Sequence, residues 1–463
     1  MPAAMEYIRA DDNRRWSAFE NSYNAERTER QKKMADVERY YEGKHSPSLL
    51  PDDEGVDDNI VINHVKQIID RSVSFLFPTL PKFEINAERE TPEEQWLKEA
   101  WRYNKGTLAL NGFAMNGCKG GHVFIKIKPA ESASEYPRLI NLKPDTVTVF
   151  WQADDIEMPL WYEIRYEAGD VEYLQDIVYD RQNRVWIFYE YESRKRGTKN
   201  WVLRGEPETW KYPFAPIVHW QHLPNVNEFY GKGETDDGIL QANDAVNRIA
   251  SDINRILRYH SFPKTVGTGF TAGEMQETGI DRFWTVASPD AVIKNLEMQS
   301  DLSSSMNMLT TLTDNILSLA RVVIMKGTVK DFQRVTNTGI RAVFLDMINK
   351  NILLRWSYGV GLAELSYRML AVAGKTAKRP DIIWPDPLPE DQTETVNILA
   401  IERAMKIVSH RTAATKRGYS FDQEARNMEQ EASMDIFAAP EPAASANTSG
   451  GYLTKQDSNE VKR

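Results

Sequence analysis

Three groups of side chains in this 463-residue sequence could do chemistry by type and spacing: the histidines His219 and His222, the single cysteine Cys118, and the cations Lys326, Lys330 and Arg334 around Gly327. The histidines sit in PFAPIVHWQHLPN, a proline-rich extended stretch. Metal helices place their histidines at i and i+4, and no cysteine or third histidine lies near in sequence, so structural or interfacial roles are expected here and no metal. A lone cysteine forms no intrachain disulfide and reads as structural. The acidic loop from His45 to Asn59, HSPSLLPDDEGVDDN, lacks the ligand spacing of a calcium loop. Neither GxxxxGK[ST] nor GxSxG occurs, and Gly267-Thr268-Gly269 with Gly273 departs from the dinucleotide fingerprint. No catalytic residue and no cofactor is predicted. The three cations lie in IMKGTVKDFQRVTNTG, where they suit either weak, reversible contact with phosphates or ordinary loop solubility.

That loop sits between long helical patterns. Glu234 to His260 carries Ile239, Ala242, Val246, Ile249, Ile253 and Ile256, a narrow apolar row on an otherwise polar helix. Asp301 to Val323 repeats it with Leu309, Leu312 and Ile316, and Asp301 is the expected N-cap. The rows predict packing on one side only, with Asn243, Asn247 and Asn254 on the polar faces. Phe262 to Gln299 reads as a β-rich insertion between these helices, and a third, very long helix is expected from about Gly339 to Ala373.

Upstream the pattern is α+β, predominantly α. A charged helix from Asp11 to Tyr41 should bury Trp16, Phe19, Tyr23, Met34, Val37 and Tyr41. Thr91-Pro92-Glu93-Glu94 predicts a capping box, opening a helix that offers Trp96, Leu97, Ala100, Trp101 and Leu108 to a core. From His122 to Val218 strands are expected, with EYLQDIVY and VWIFYEYES paired across the turn Asp180-Arg181-Gln182-Asn183. The basic run SRKRGTK at Ser193–Lys199 suits a solvated turn better than a nucleic-acid contact.

The chain is 41% hydrophobic with a formal net charge of -10. It can bury a sizeable core, and its acidity argues against gripping nucleic acid by bulk charge. No signal-peptide core or membrane-length apolar run is present, so a product made in a reducing cytoplasm, with no membrane, is expected.

Tyr40-Tyr41-Glu42-Gly43, the Asn63-led NHVKQIIDRSVSFLFP, GFAMNGCKGGHVFIKIKP, GKGETDDGILQANDAVNRIASDIN, VTNTGIRAVFLDMINKN and IIWPDPLPEDQTETVN occur in an order that resembles the portal, or head-to-tail connector, proteins of tailed bacteriophages. The resemblance implies a wing over 1–232, stem helices at 233–260 and 301–323, and a clip at 261–300. A tunnel loop at 324–337, a long helix and junction at 338–390, a small helical crown at 391–435 and a flexible tail at 436–463 complete the portal fold. It further implies a ring, a dodecamer in that family, at one capsid vertex of the virion, conducting double-stranded DNA in packaging and ejection. The partners would be the terminase large subunit, the head-tail adaptor, and the major capsid and scaffolding proteins. Ile239, Val246, Ile249, Ile253, Ile256, Leu309, Leu312 and Ile316 would form the oligomer seam between subunits, Asn243, Asn247 and Asn254 would border the tunnel or solvent, and Lys326, Lys330 and Arg334 would meet DNA. Phe262, Phe270, Phe283 and Trp284 are candidate clip anchors for terminase or adaptor, with packing inside the clip the alternative. A virion scaffold or connector without DNA contact stands as the second reading.

Overall fold

The computed structural model describes residues 13–45, 57–132, 135–152, 154–194, 201–261, 265–269, 275–278, 283–286, 290–295, 302–324, 337–388 and 392–433. Helix α1, Asn13–Tyr41, buries Met34, Val37 and Tyr40. Tyr41 is half-buried and donates its hydroxyl to Asp70 Oδ1 at 2.7 Å. The expected Trp16, Phe19 and Tyr23 lie outside the described side chains. Gly43, at φ 83°, ends α1 in a Schellman turn: Lys44 N donates to Arg39 O at 2.9 Å and Gly43 N to Tyr40 O at 2.9 Å. Asn63 then does two jobs. Its Oδ1 accepts from Lys66 N and caps α2, His64–Leu76, while its Nδ2 donates to the carbonyls of Tyr40 and Tyr41. One side chain therefore starts one helix and covers the end of the previous one.

β1, Lys82–Glu84, leads to α3, Pro92–Tyr103, whose capping box is complete. Thr91 accepts from Glu94 N, and Glu94 accepts from Thr91 N and also from the backbone of Asn86 and Ile85. Leu97, Ala100 and Trp101 are buried as expected. Leu108 is not: it belongs to the next helix, α4 (Thr107–Gly120), and is 67% exposed, because the turn at Lys105 and Gly106 rotates the apolar face away from it.

Two antiparallel sheets follow. β2 (His122–Lys128) is the centre of a three-stranded sheet, between β3 (Arg138–Leu142) and β10 (Ile217–Gln221). β4 (Val147–Gln152), β5 (Asp155–Ala168), β6 (Val171–Asp180), β7 (Val185–Arg194) and β8 (Val202–Leu203) pair in chain order, and β9 (Glu208–Trp210) also pairs with β7. The predicted hairpin is β6–β7, closed by Asp180 Oδ1 accepting from the backbone of Gln182 and Asn183. Of the basic run, residues 195–199 lie outside the described residues.

α5 (Asp237–Ser261) and α6 (Ser303–Leu319) form a two-helix arm. Between them run β11 (Thr265–Thr268) with β14 (Val292–Asn295), and β12 (Met275–Thr278) with β13 (Phe283–Val286), both antiparallel. The long third helix has a short lead, α7 (Asn337–Val343), then α8 (Leu345–Val372), which drives Leu354, Tyr358, Leu362, Leu365 and Met369 through the main core. β15 (Asp381–Ile383) pairs with β1. The chain divides into two units, Met1–Leu388 and Pro389–Arg463. In the second, three helices are described: α9 (Gln392–Ala404), α10 (His410–Lys416) and α11 (Phe421–Ser433). The expected tail at 436–463 lies outside the described residues.

Candidate functional site

The arm is the feature the sequence singled out. Most of its apolar row finds a partner within the chain: Ile239, Val246 and Ile316 are buried in one cluster with Leu317, Ala320, Val322 and Ile68 of α2, and Leu309 and Leu312 pack against it. Ile253 is buried as well. The expectation that the whole row packs between subunits is corrected here, because α6 folds back along α5 and α2 fills the remaining side. Ile249 and Ile256 are half-buried and retain open surface.

The polar face of α5 also departs from expectation. Asn243 and Asn247 have no exposed surface, and instead of bordering a tunnel or solvent they serve as a rail for the extended segment 57–63. Asn243 Oδ1 accepts from His64 N at 2.9 Å and its Nδ2 donates to Ile62 O at 3.0 Å. Asn247 Oδ1 accepts from Ile62 N at 2.8 Å, Ser251 Oγ from Ile60 N at 2.9 Å, and Asn254 Nδ2 donates to Asp58 O at 3.1 Å. The buried Asp58 carboxylate closes the series with Arg255 Nε at 3.1 Å and Arg258 Nη2 at 2.9 Å. The signal was present in sequence: uncharged hydrogen-bonding residues at i, i+4 and i+8 share one helix face and suit a strand's alternating N–H and C=O groups.

At the base of the arm lies a buried polar network. Lys350 Nζ of α8 donates to Glu234 Oε2 at 2.8 Å, Ala320 O at 2.9 Å and Ser72 Oγ at 3.0 Å, which uses all three of its hydrogens. Glu234 Oε1 accepts from His222 Nε2 at 3.2 Å, and His222 Nδ1 meets the Tyr358 hydroxyl at 2.8 Å. Burial alone would raise the Glu234 pKa, but the Lys350 ammonium, and after it His222, hold it at about 2. Burial drives the Tyr358 hydroxyl well above its ordinary value. Two glycines make room. A Cβ on Gly117 would strike the Tyr358 hydroxyl and approach His222 Nδ1 to 2.8 Å, and one on Gly233 would reach Cys118 O at 2.6 Å. That close approach lets Glu234 N donate to Cys118 O at 2.8 Å. Glu234, expected to begin the first arm helix, lies before it; Asp236 Oδ1 accepts from Ile239 N and caps α5.

Cys118, His222 and Glu234 bring potential metal ligands within 4.8 Å of one another. Their chemistry favours a different cation. Both Glu234 oxygens are committed to Lys350 and His222, and burial pushes the Cys118 thiol well above its ordinary pKa, so the ammonium neutralises the site. His219 points elsewhere from β10: its Nδ1 meets His122 Nε2 at 3.2 Å among Phe124, Phe229 and Tyr162.

Lys326, Lys330, Arg334, Phe262 and Phe270 lie outside the described residues. Phe283 and Trp284 stand in β13, opposite Thr278 and Glu277 of β12. Lys350, Tyr358, Glu234 and the asparagine rail are the buried functional groups that sequence reasoning missed.

The family model for "Phage portal protein, SPP1 Gp6-like" matches residues 20–436. The chain belongs to that family. Among solved structures, this portal-family chain is similar to one in "Neck of empty GTA particle computed with C6 symmetry", at 14% identity and a TM-score of 0.47, covering 83% of this chain and 93% of that one. A chain in "Virion of native gene transfer agent (GTA) particle" matches at 12% identity and a TM-score of 0.46, with coverage of 83% and 93%. No curated protein matches.

Proposed function

We propose that the chain assembles into a homo-oligomeric ring at one capsid vertex, through which double-stranded DNA passes during packaging and ejection. The observation that carries this reading is the portal-family match over nearly the whole chain, together with an antiparallel two-helix arm holding a β insertion at its far end. In this reading residues 1–232 form the wing, 233–260 and 301–323 the stem, 261–300 the clip and 324–337 the tunnel loop. The long helix and junction occupy 338–390 and the crown 391–435. The clip, with Phe283 and Trp284 on one strand, receives the terminase large subunit and then the head-tail adaptor. The capsid and scaffolding proteins meet the wing and crown. Ile249 and Ile256, which retain open surface, carry the subunit contact on the arm.

Lys326, Lys330 and Arg334 guide phosphates in a ring of net negative subunits, where three cations per copy attract the backbone without holding it. Replacing all three with Gln is expected to leave assembly intact and to lower packaging or retention of DNA. A triple variant that packages and retains DNA like the parent at low and moderate salt would instead support a scaffold or connector without DNA contact.

A further inference from the structure

α6 stops where its sequence gives no reason to stop. Leu319-Ala320-Arg321-Val322-Val323-Ile324-Met325-Lys326 contains neither Gly nor Pro, and helix was expected through Val323. The observed end is a Schellman turn: Val322 N donates to Leu317 O at 2.9 Å and Arg321 N to Ser318 O at 3.0 Å. The residue in the left-handed position is Arg321, at φ 51°. The same turn ends α1 at Gly43, α8 at Gly374 and α10 at Gly418, where glycine takes that conformation without strain. Lys105 and Lys406 are non-glycine cases, but Gly106 follows the first at once and Ser409 opens a new helix just after the second. Among the described helix ends, that of α6 alone combines a strained left-handed residue with helix-compatible sequence beyond it.

Two interactions oppose that strain. Lys350 Nζ donates to Ala320 O, the last carbonyl before the turn, placing positive charge at the negative end of the helix. Val322 is buried beside Leu317 in the arm cluster. Neither partner is specified by local sequence.

We propose that the end of α6 is a two-position stop, and that Lys350 selects the short position. Releasing its ammonium from Ala320 O lets Arg321 relax into right-handed geometry, and the helix continues through Val323 and Ile324. One added turn moves the exit of the chain by about 5 Å along the helix axis. This inference concerns the fold of one chain and does not rest on the ring reading.

The test is hydrogen exchange on the full chain, read at the amides of Val323 and Ile324, which would bond to Leu319 O and Ala320 O only in the long form. Lys350→Met is expected to slow exchange at both amides at least tenfold, while exchange in α5 and α8 speeds up by whatever global stability the variant loses. Lys350→Met with Glu234→Gln, which avoids stranding a buried carboxylate, should do the same. Adding Arg321→Gly to either variant should restore parental exchange, since glycine removes the strain that drives the extension. The proposal is overturned if Val323 and Ile324 exchange unchanged or faster in both Lys350 variants, or if Arg321→Gly fails to reverse the protection.

Discussion

Lys350 and Glu234 lie 116 positions apart in sequence, yet their side chains meet at 2.8 Å with almost no access to water. Through Ala320 O and Ser72 Oγ the same ammonium ties the long helix to the end of α6 and to α2. The approach to α5, the end of α6 and the body therefore share one charge.

Breaking that pair from either side should be severe. Lys350→Met or Glu234→Gln is expected to cost about 3–5 kcal/mol, since the first leaves the carboxylate and the second the ammonium buried without its counter-charge, whereas the neutral pair Lys350→Met/Glu234→Gln should cost clearly less than the two single effects added. Urea unfolding of the four forms gives the coupling. Additive losses would show that the two groups act independently.

The asparagine rail makes a graded prediction. Asn243→Ala removes the partners of the buried His64 amide and of the Ile62 carbonyl, and should lose about 1–3 kcal/mol; Asn254→Ala, half-buried and with one bond described, should lose less. The loss should appear first as faster hydrogen exchange in segment 57–63. Equal effects from the two variants would mean that the rail is not what holds that segment.

Acid should destabilise the fold before carboxylates in general titrate. Burial, then His219 and Arg30, holds His122 well below its ordinary pKa, and burial, then Arg368, lowers His219 to about 3. Both are neutral when folded, so below the unfolded value of about 6.5 the unfolded chain binds more protons and stability falls with pH. Asp176 works the other way: burial, then Glu163, raises it to about 7, so its protonation favours the folded state as pH falls from 7. Of these three groups the two histidines outweigh the one carboxyl, giving a net loss that approaches about 1.4 kcal/mol per pH unit near pH 5, where the unfolded histidines are fully protonated. His219→Phe should flatten urea midpoints measured between pH 6.5 and 4; an unaltered slope would remove His219 from the account.

How much of this was legible depended on how local the cause was. The Thr91–Glu94 box and the β6–β7 turn at Asp180 are closed by residues within a few positions, so their sequence patterns sufficed. The apolar row on α5 was visible, but its partner was not: nothing near Val246 in sequence announces that Ile68 and Ile316 will fill the space beside it. Asn243 and Asn247 looked like solvent-facing polar residues because their partners, the amides of His64 and Ile62, lie 179 and 185 positions away. Lys350 was hidden for the same reason, sitting as one more lysine on a long helix.

The ring is the claim on which the functional reading depends, and an axial electron micrograph of the purified full-length chain tests it most directly. The account predicts closed rings with a central hole, and their loss when Ile249 and Ile256 are both changed to Asp while the chain stays folded by circular dichroism. Parent protein that remains a monomer of 53.1 kDa under assembly conditions, with no annular particles at any concentration reached, would contradict it.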